Sequence, residues 1–218
     1  MKIGIVGGTG REGRGLAARW ARAGHEIVIG SRQAEKGAEK AKELSDQLGL
    51  QVRGTDNLSA CRQSELIIVT VPYGAHRQTF DSIKGVVDEK IVVDITVPLK
   101  PPKVRSVNLP EGQAAALEAR ALLPESARLV AALHHISSEH LGDPSYVFDC
   151  DVLVCGDDKE ARATVISVIS DLGLRGIDAG VLKNAIALES MTPVLLHINR
   201  HYGAVGSGVR ITGIPEKE

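Results

Sequence analysis

The amino-terminal stretch constrains this chain more than any other: Lys2-Ile-Gly-Ile-Val6 runs directly into Gly7-Gly8-Thr9-Gly10-Arg11-Glu12-Gly13. A short run that is apolar at nearly every position reads as a strand buried on both faces. Arg14 to Ala23 reads as the helix that follows, closed by Gly24. Between them, Gly8 to Gly13 fits G-x-G-x-x-G. Gly8 permits the tight turn, Gly10 lets the backbone approach a pyrophosphate, and Gly13 lets helix and strand pack closely. A diphosphate at that helix start would meet free amides and the positive end of the helix dipole. The competing reading is a strand-to-helix turn with no ligand. The position after a buried strand and before a helix is what dinucleotide binding requires, and it points to a Rossmann-type fold.

The second strand, Glu26 to Gly30, decides which dinucleotide. NAD sites present Asp or Glu near its end, roughly 20 residues beyond the glycines, to bind the ribose 2′-hydroxyl. Here that place holds Gly30-Ser31-Arg32, with Lys36 one helical turn further on. A carboxylate would repel a 2′-phosphate, whereas a hydroxyl beside a guanidinium binds it through charge-assisted hydrogen bonds. NADP is therefore expected over NAD.

Strands and helices alternate through the first two thirds, the pattern of a parallel sheet covered by helices. Ala34 to Leu48 is a helix with a solvated charged face, residues 51–54 a weak third strand, and residues 66–71 and 91–97 strong strands separated by a helix over residues 74–83. Both strong strands run to Val-Pro, at Val71-Pro72 and Val97-Pro98. Proline cannot donate to a ladder, so each pair ends its strand where an open α/β sheet forms its ligand crevice. Residues 100–110 read as a loop over that crevice, 113–123 as a helix, and 128–133 as a sixth strand leading into His134 and His135.

Beyond it come a strand over 147–155, a helix over 160–172, a short strand over 176–179 and a long apolar helix over 181–200. The fold class expected is α/β: a doubly wound parallel sheet, with an NADP-binding domain over 1–145 and a smaller α/β part over 146–218 that closes the crevice. The long apolar helix and a short strand over 208–213 also point to a homodimer.

Lys and Arg number 26 against 27 Asp and Glu, and aromatics make up 3% of residues, so neither a nucleic-acid platform nor an anionic-lipid surface is expected. No apolar run reaches the roughly 18 residues of a membrane span. Cys61, Cys150 and Cys155 are an odd number at no zinc-like spacing, and Met1 leads directly into the first strand, so a reducing cytoplasm is expected. His134, His135 and His140 with Glu139 suggest a metal site at first sight. Adjacent side chains on a strand point to opposite faces, and no metal is expected there. Asp157-Asp158, after Gly156 and ahead of a helix, reads as an N-cap with a first-turn acid rather than an acid/base pair.

Taken together, G-G-T-G over 7–10, G-S-R over 30–32, T-V-P-Y-G-A-H over 70–76, V-A-A-L-H-H-I over 130–136, C-G-D-D over 155–158 and E-S-x-T-P over 189–193 resemble the F420-dependent NADP reductases. Such enzymes transfer a hydride between the deazaflavin coenzyme F420 and NADP. The resemblance covers nearly the whole chain in order. It implies that Thr9, Arg11, Glu12, Ser31, Arg32 and Lys36 hold the adenosine and phosphates, with Tyr73, Arg77 and Lys103 as contacts further along the dinucleotide. It also implies a deazaflavin pocket formed by His134, Ile136, Ser137 and Ser138, with Thr192, Pro193 and Leu196 opposite. Related sequences read closer to Leu-His-Thr-Ile-Pro-Ala where this chain reads Leu133-His134-His135-Ile136-Ser137-Ser138. The two serines make the pocket lip more polar and keep another acceptor in view: a flavin, an imine or keto compound, or a ferric chelate.

Hydride transfer between two planar rings needs no protein nucleophile, so no obligatory acid or base is assigned, and His134 is a candidate hydrogen-bond donor to either ring. The acidic tail of F420 calls for cations, for which Lys100, Lys103, Arg105, Lys183 and Arg200 are candidates. A noncatalytic NADP sensor is the reading outside catalysis, and it predicts an intact cradle with a blocked crevice.

Overall fold

A computed structural model describes residues 1–214. Its sheet has eight strands: β1 (Lys2–Val6), β2 (Glu26–Ser31), β3 (Val52–Asp56), β4 (Leu66–Val69), β5 (Ile91–Asp94), β6 (Arg128–Ala131), β7 (Asp151–Gly156) and β8 (Arg175–Asp178), in the order β3-β2-β1-β4-β5-β6-β7-β8. The first six pair in parallel. β7 runs antiparallel to β6 and β8 parallel to β7, so the chain after residue 146 extends the same sheet. The order reverses between β1 and β4, the place where doubly wound sheets open a crevice at the strand carboxyl ends.

The helices are α1 (Arg11–Arg22), α2 (Ala34–Leu48), α3 (Asn57–Gln63), α4 (Tyr73–Ile83), α5 (Ala115–Leu122), α6 (Ser138–Gly142), α7 (Lys159–Ser170) and α8 (Ala185–Tyr202). Strand side chains alternate between two cores. Ile3, Ile5, Ile68 and Val93 meet Leu16 and Trp20 of α1, Leu44 of α2 and Val168 of α7. Val6, Ile67, Val69 and Val92 meet Cys61 of α3, Phe80 of α4, Ala119 of α5 and Leu188 of α8. Trp20 closes the first layer by donating its indole N–H to the Val168 carbonyl at 2.8 Å.

Several expected boundaries move. The first helix begins at Arg11, three residues early, because Gly10 serves as its N-cap. β4 and β5 stop at Val69 and Asp94, short of the Val-Pro pairs. The Asp94 carboxylate accepts the Thr96 amide at 3.0 Å, which removes that amide from the ladder, and beyond the Val6 carbonyl, which takes the Thr70 amide and hydroxyl, β1 turns away from β4 at Gly7, φ 72°. β6 ends at Ala131, and Leu133 then takes a left-handed conformation, φ 64°, that swings the following residues off the sheet. β7 begins at Asp151 rather than 147.

The expected strand over 208–213 is absent. One backbone bond remains, from the Asp151 amide to the Val209 carbonyl at 2.7 Å, but the Ile211 amide goes to the Asp151 carboxylate at 2.6 Å, and the same carboxylate takes both donors of Arg175 at 2.7 Å, so a side chain replaces the next rung. Asp158 caps α7, accepting from the Ala161 amide at 2.6 Å, as its position predicts. No described helix is long and apolar enough to cross a membrane.

Candidate functional site: a crevice from the glycine turn to the His134 loop

One cavity of about 1260 Å³ lies across the carboxyl ends of the central strands. A pocket for one small ligand encloses roughly 300–1,000 Å³, so this one has room for more than one ring system. Its first end is the glycine turn. A Cβ on Gly13 would lie 2.7 Å from the Gly8 Cα and 2.8 Å from the Thr70 hydroxyl, a space that only glycine leaves open. Gly10 faces outward with nothing nearer to such a Cβ than the Gly7 carbonyl oxygen at 3.8 Å. The first bond along α1 runs from the Arg14 amide to the Gly10 carbonyl, which leaves the amides of the preceding turn free for an anion. Gly8 is buried beneath this turn and bonds to the Gly30 carbonyl at 3.0 Å, tying β1 to β2.

Ser31, Arg32 and Lys36 line the same end. Ser31 is buried, whereas Arg32 and Lys36 are exposed and pair with no carboxylate among the described residues. A hydroxyl with two unpaired cations suits a phosphate. Thr9, Arg11 and Glu12 are also on the wall. Glu12 is half-buried without a partner, and burial pushes its carboxyl up to about 7. Its charge therefore appears in the cradle as pH rises through neutrality and opposes a bound phosphate. We expect dinucleotide affinity to fall several-fold between about pH 6 and pH 8, and Glu12→Gln to flatten that dependence, as read by fluorescence titration with NADPH. An identical slope in wild type and variant would remove Glu12 from the cause.

The second end is bounded by the loop after β6 and by α8. His134, Ile136, Ser137, Ser138, Thr192 and Leu196 line it, joined by Leu195 and Asn199. His134 is 6% exposed, and neither ring nitrogen has a protein partner. Burial holds its pKa down at about 4, only partly offset by Asp94, so at neutral pH the ring is uncharged with one donor and one acceptor unpaired. Burying such groups unpaired is costly, and a polar ligand edge in the crevice would relieve that cost. The Thr192 hydroxyl donates to the His134 backbone carbonyl at 2.8 Å and fixes α8 against this loop. His135 is on the same wall, with its Nε2 bonded to the Asp151 carbonyl at 2.8 Å.

Val71, Pro72, Tyr73 and Val97 form the middle. The Tyr73 hydroxyl donates to Glu118 at 2.8 Å, and burial together with that carboxylate pushes its pKa up to about 12. Behind this wall lies a fully buried pair, His76 Nε2 and Asp94 at 2.7 Å. Pro98 and Pro193 are buried just behind the lining, and Arg77 and Lys103 are exposed outside it.

Some of the lining is not visible as a motif. Asn57 is on the wall and accepts from the Gly7 amide at 3.2 Å, fixing the glycine turn from α3. A signal for α3 exists: Asp56 accepts from the Ser59 amide and hydroxyl, an N-cap pattern of Asp followed by Ser three residues on. Thr79 and the segment from Ala204 to Ser207 also line the cavity and carry no local signal.

Residues 2–98 match the family described as NADP oxidoreductase, coenzyme F420-dependent. The F420-dependent NADP reductase of Methanothermobacter marburgensis is 38% identical over 99% of this chain and 100% of its own. The protein of that name from Methanocaldococcus jannaschii is 37% identical over 98% of this chain and 99% of its own. This chain belongs to the F420-dependent NADP reductase family. A solved protein from Arthrobacter sp. FB24 shares the fold, with a TM-score of 0.82 over 98% of this chain and all of that one at 24% identity. The reductive aminase of Aspergillus terreus shares it more distantly, with a TM-score of 0.65 over 93% of this chain and 63% of that one at 20% identity.

For an F420-dependent NADP reductase the E-S-x-T-P stretch of α8 acquires a structural meaning. Thr192 grips the His134 loop, and Glu189, 2% exposed, accepts the Ala115 and Ala116 amides at 2.7 and 2.9 Å. The motif thus fastens α8 to both the crevice wall and the start of α5.

Proposed function

We propose that this protein transfers a hydride between NADP(H) and coenzyme F420 held together in the crevice, and that it works in the cytoplasm as a homodimer. The observation that carries the reading is the continuity of the cavity from the unpaired Arg32 and Lys36 to the unpartnered His134 and the apolar wall of Ile136 and Leu196. Family membership supports the same reaction. A blocked crevice, as a noncatalytic sensor would have, does not match this cavity.

The bound pair supplies the hydride donor and acceptor, and the protein's part is to hold and orient. The free amides at the start of α1 take the diphosphate, Ser31, Arg32 and Lys36 take the 2′-phosphate, and Val71, Pro72 and Tyr73 form the floor along the dinucleotide. His134 donates its N–H to the ring system at the second end, where Ile136, Thr192 and Leu196 exclude water. No side chain is required as nucleophile.

The homodimer reading is supported by Val194, Tyr202 and Val205, which are 49%, 76% and 63% exposed along and just after α8. The three cysteines are free, two of them buried, which suits a reducing compartment.

Purified protein mixed with NADPH and oxidised F420 is expected to bleach the F420 absorbance with stoichiometric loss of NADPH. NADPH binding without bleaching at any pH would hand the crevice to a different acceptor. Absence of NADPH binding would end both readings.

A further inference from the structure

Arg19 lies in the last turn of α1, the helix whose first turn opens on the glycine cradle. Its guanidinium gathers backbone carbonyls from a different part of the chain. Nε donates to Leu141 at 3.2 Å, and Nη2 reaches His140, Asp143 and Tyr146 at 3.0, 2.5 and 3.1 Å. Nη1 adds Leu172 at 3.4 Å, and the group sits over the Phe148 ring, 4.6 Å from its centroid. The four carbonyls between His140 and Tyr146 belong to the end of α6 and the loop that follows.

α6 has five residues: its Leu141 amide bonds back to the Ser137 carbonyl at 2.9 Å and its His140 carbonyl takes the Asp143 amide at 3.3 Å, so a helix this short leans on donors from elsewhere to hold its end. At its other end Ser137, Ser138 and Glu139 line the crevice. A second observation places α6 on the same helix. A Cβ at Gly15 would stand 2.7 Å from the Leu141 Cβ and 3.1 Å from the Leu141 carbonyl carbon, so the two backbones meet there.

We propose that Arg19 is a positioning residue that holds the acceptor wall of the crevice to the helix carrying the dinucleotide cradle, so that its loss weakens capture of the acceptor and leaves dinucleotide binding intact. One planar fork serves all these carbonyls at once. A lysine ammonium in its place reaches at most three acceptors and has no plane to lay on Phe148. The inference rests on F420 as the acceptor, and its structural half does not.

The test compares wild type with Arg19→Met, Arg19→Lys and Gly15→Ala. Arg19→Met is expected to raise the KM for F420 about tenfold or more while the Kd for NADPH stays within about twofold, since small misplacement of a binding wall has effects of this size. Arg19→Lys should recover part of the loss. Gly15→Ala, which pushes α6 outward while leaving Arg19 intact, should act in the same direction. Amide hydrogen exchange over residues 139–146 should speed up in Arg19→Met and not in the cradle.

Equal changes in F420 KM and NADPH Kd, or unchanged exchange over 139–146, would overturn the proposal and leave Arg19 a general staple. If Arg19→Met fails to fold, Arg19→Lys and Gly15→Ala carry the same comparison. Wild-type protein that binds NADPH but does not reduce F420 would refute the acceptor assignment alone. The exchange measurement would then still decide the role of Arg19.

Discussion

Arg32→Asp is expected to weaken NADPH binding by about 100-fold or more and NADH binding by no more than a few-fold, as measured by direct titration of each. Ser31 ends β2 and Arg32 follows it where the strand reaches the crevice, and no carboxylate of the described chain competes for the guanidinium. A charge-assisted bond to a phosphate accounts for about tenfold or more by itself, and a carboxylate in its place adds repulsion against a dianion. NADH has a hydroxyl where NADPH carries that phosphate, so it loses little and can gain an acceptor. Lys36 remains on the wall and keeps the loss finite. Equal weakening of both dinucleotides would show that Arg32 supports the fold of the turn rather than the phosphate.

The second large effect lies away from the ligands. Glu189→Ala is expected to cost about 2–4 kcal/mol of folding stability, read by urea unfolding, because it leaves the Ala115 and Ala116 amides buried without acceptors. A pH arm isolates the carboxyl. Burial raises its pKa to about 8 against the pull of the two amides, while in the unfolded chain it titrates near 4.5. Between those values the native state holds more proton than the unfolded one, so this group makes stability fall as pH climbs from about 4.5 to 8. Glu189→Gln, which keeps an acceptor oxygen, should lose that slope and cost less than Glu189→Ala at pH 6. Parallel stability curves for wild type and Glu189→Gln across this window would refute the assignment.

The elements best read from sequence are those whose determinants are local. α2 runs from Ala34 to Leu48 as its amphipathic spacing predicts, ended by Gly49 in the left-handed conformation. β1, the glycine turn and β2 also lie where apolar runs and glycines put them. The misplaced boundaries have nonlocal causes. β4 and β5 read as continuing to their Val-Pro pairs because, Asp94 apart, the residues up to each proline are apolar or β-branched. Their ladders end earlier because Asp94 captures the Thr96 amide and because β1, the partner of β4, turns away at Gly7, φ 72°. The expected strand over 208–213 has strand-like composition, but Asp151, held by Arg175 on the neighbouring strand, takes the amide its ladder would need.

The candidate site divides along the same line. By itself the sequence determined the end of the crevice proposed to take the phosphates, because a glycine turn, a helix start, the last residue of β2 and the one after it are all set within about 30 residues of chain. It also marked His134 to Ser138 and Thr192 to Leu196 as belonging to the other end, through motif resemblance rather than through any periodicity. Only the tertiary structure decided that these segments share one cavity with the cradle, that on its wall His134 is unpartnered while His135 bonds to Asp151, and that Asn57 supports the turn from α3. It alone revealed that Arg19, an unremarked residue in a helical run, gathers the carbonyls of α6. A guanidinium bonding to carbonyls over 120 residues away leaves no trace in local spacing, since backbone acceptors are the same at every position and only folding selects which ones come within reach.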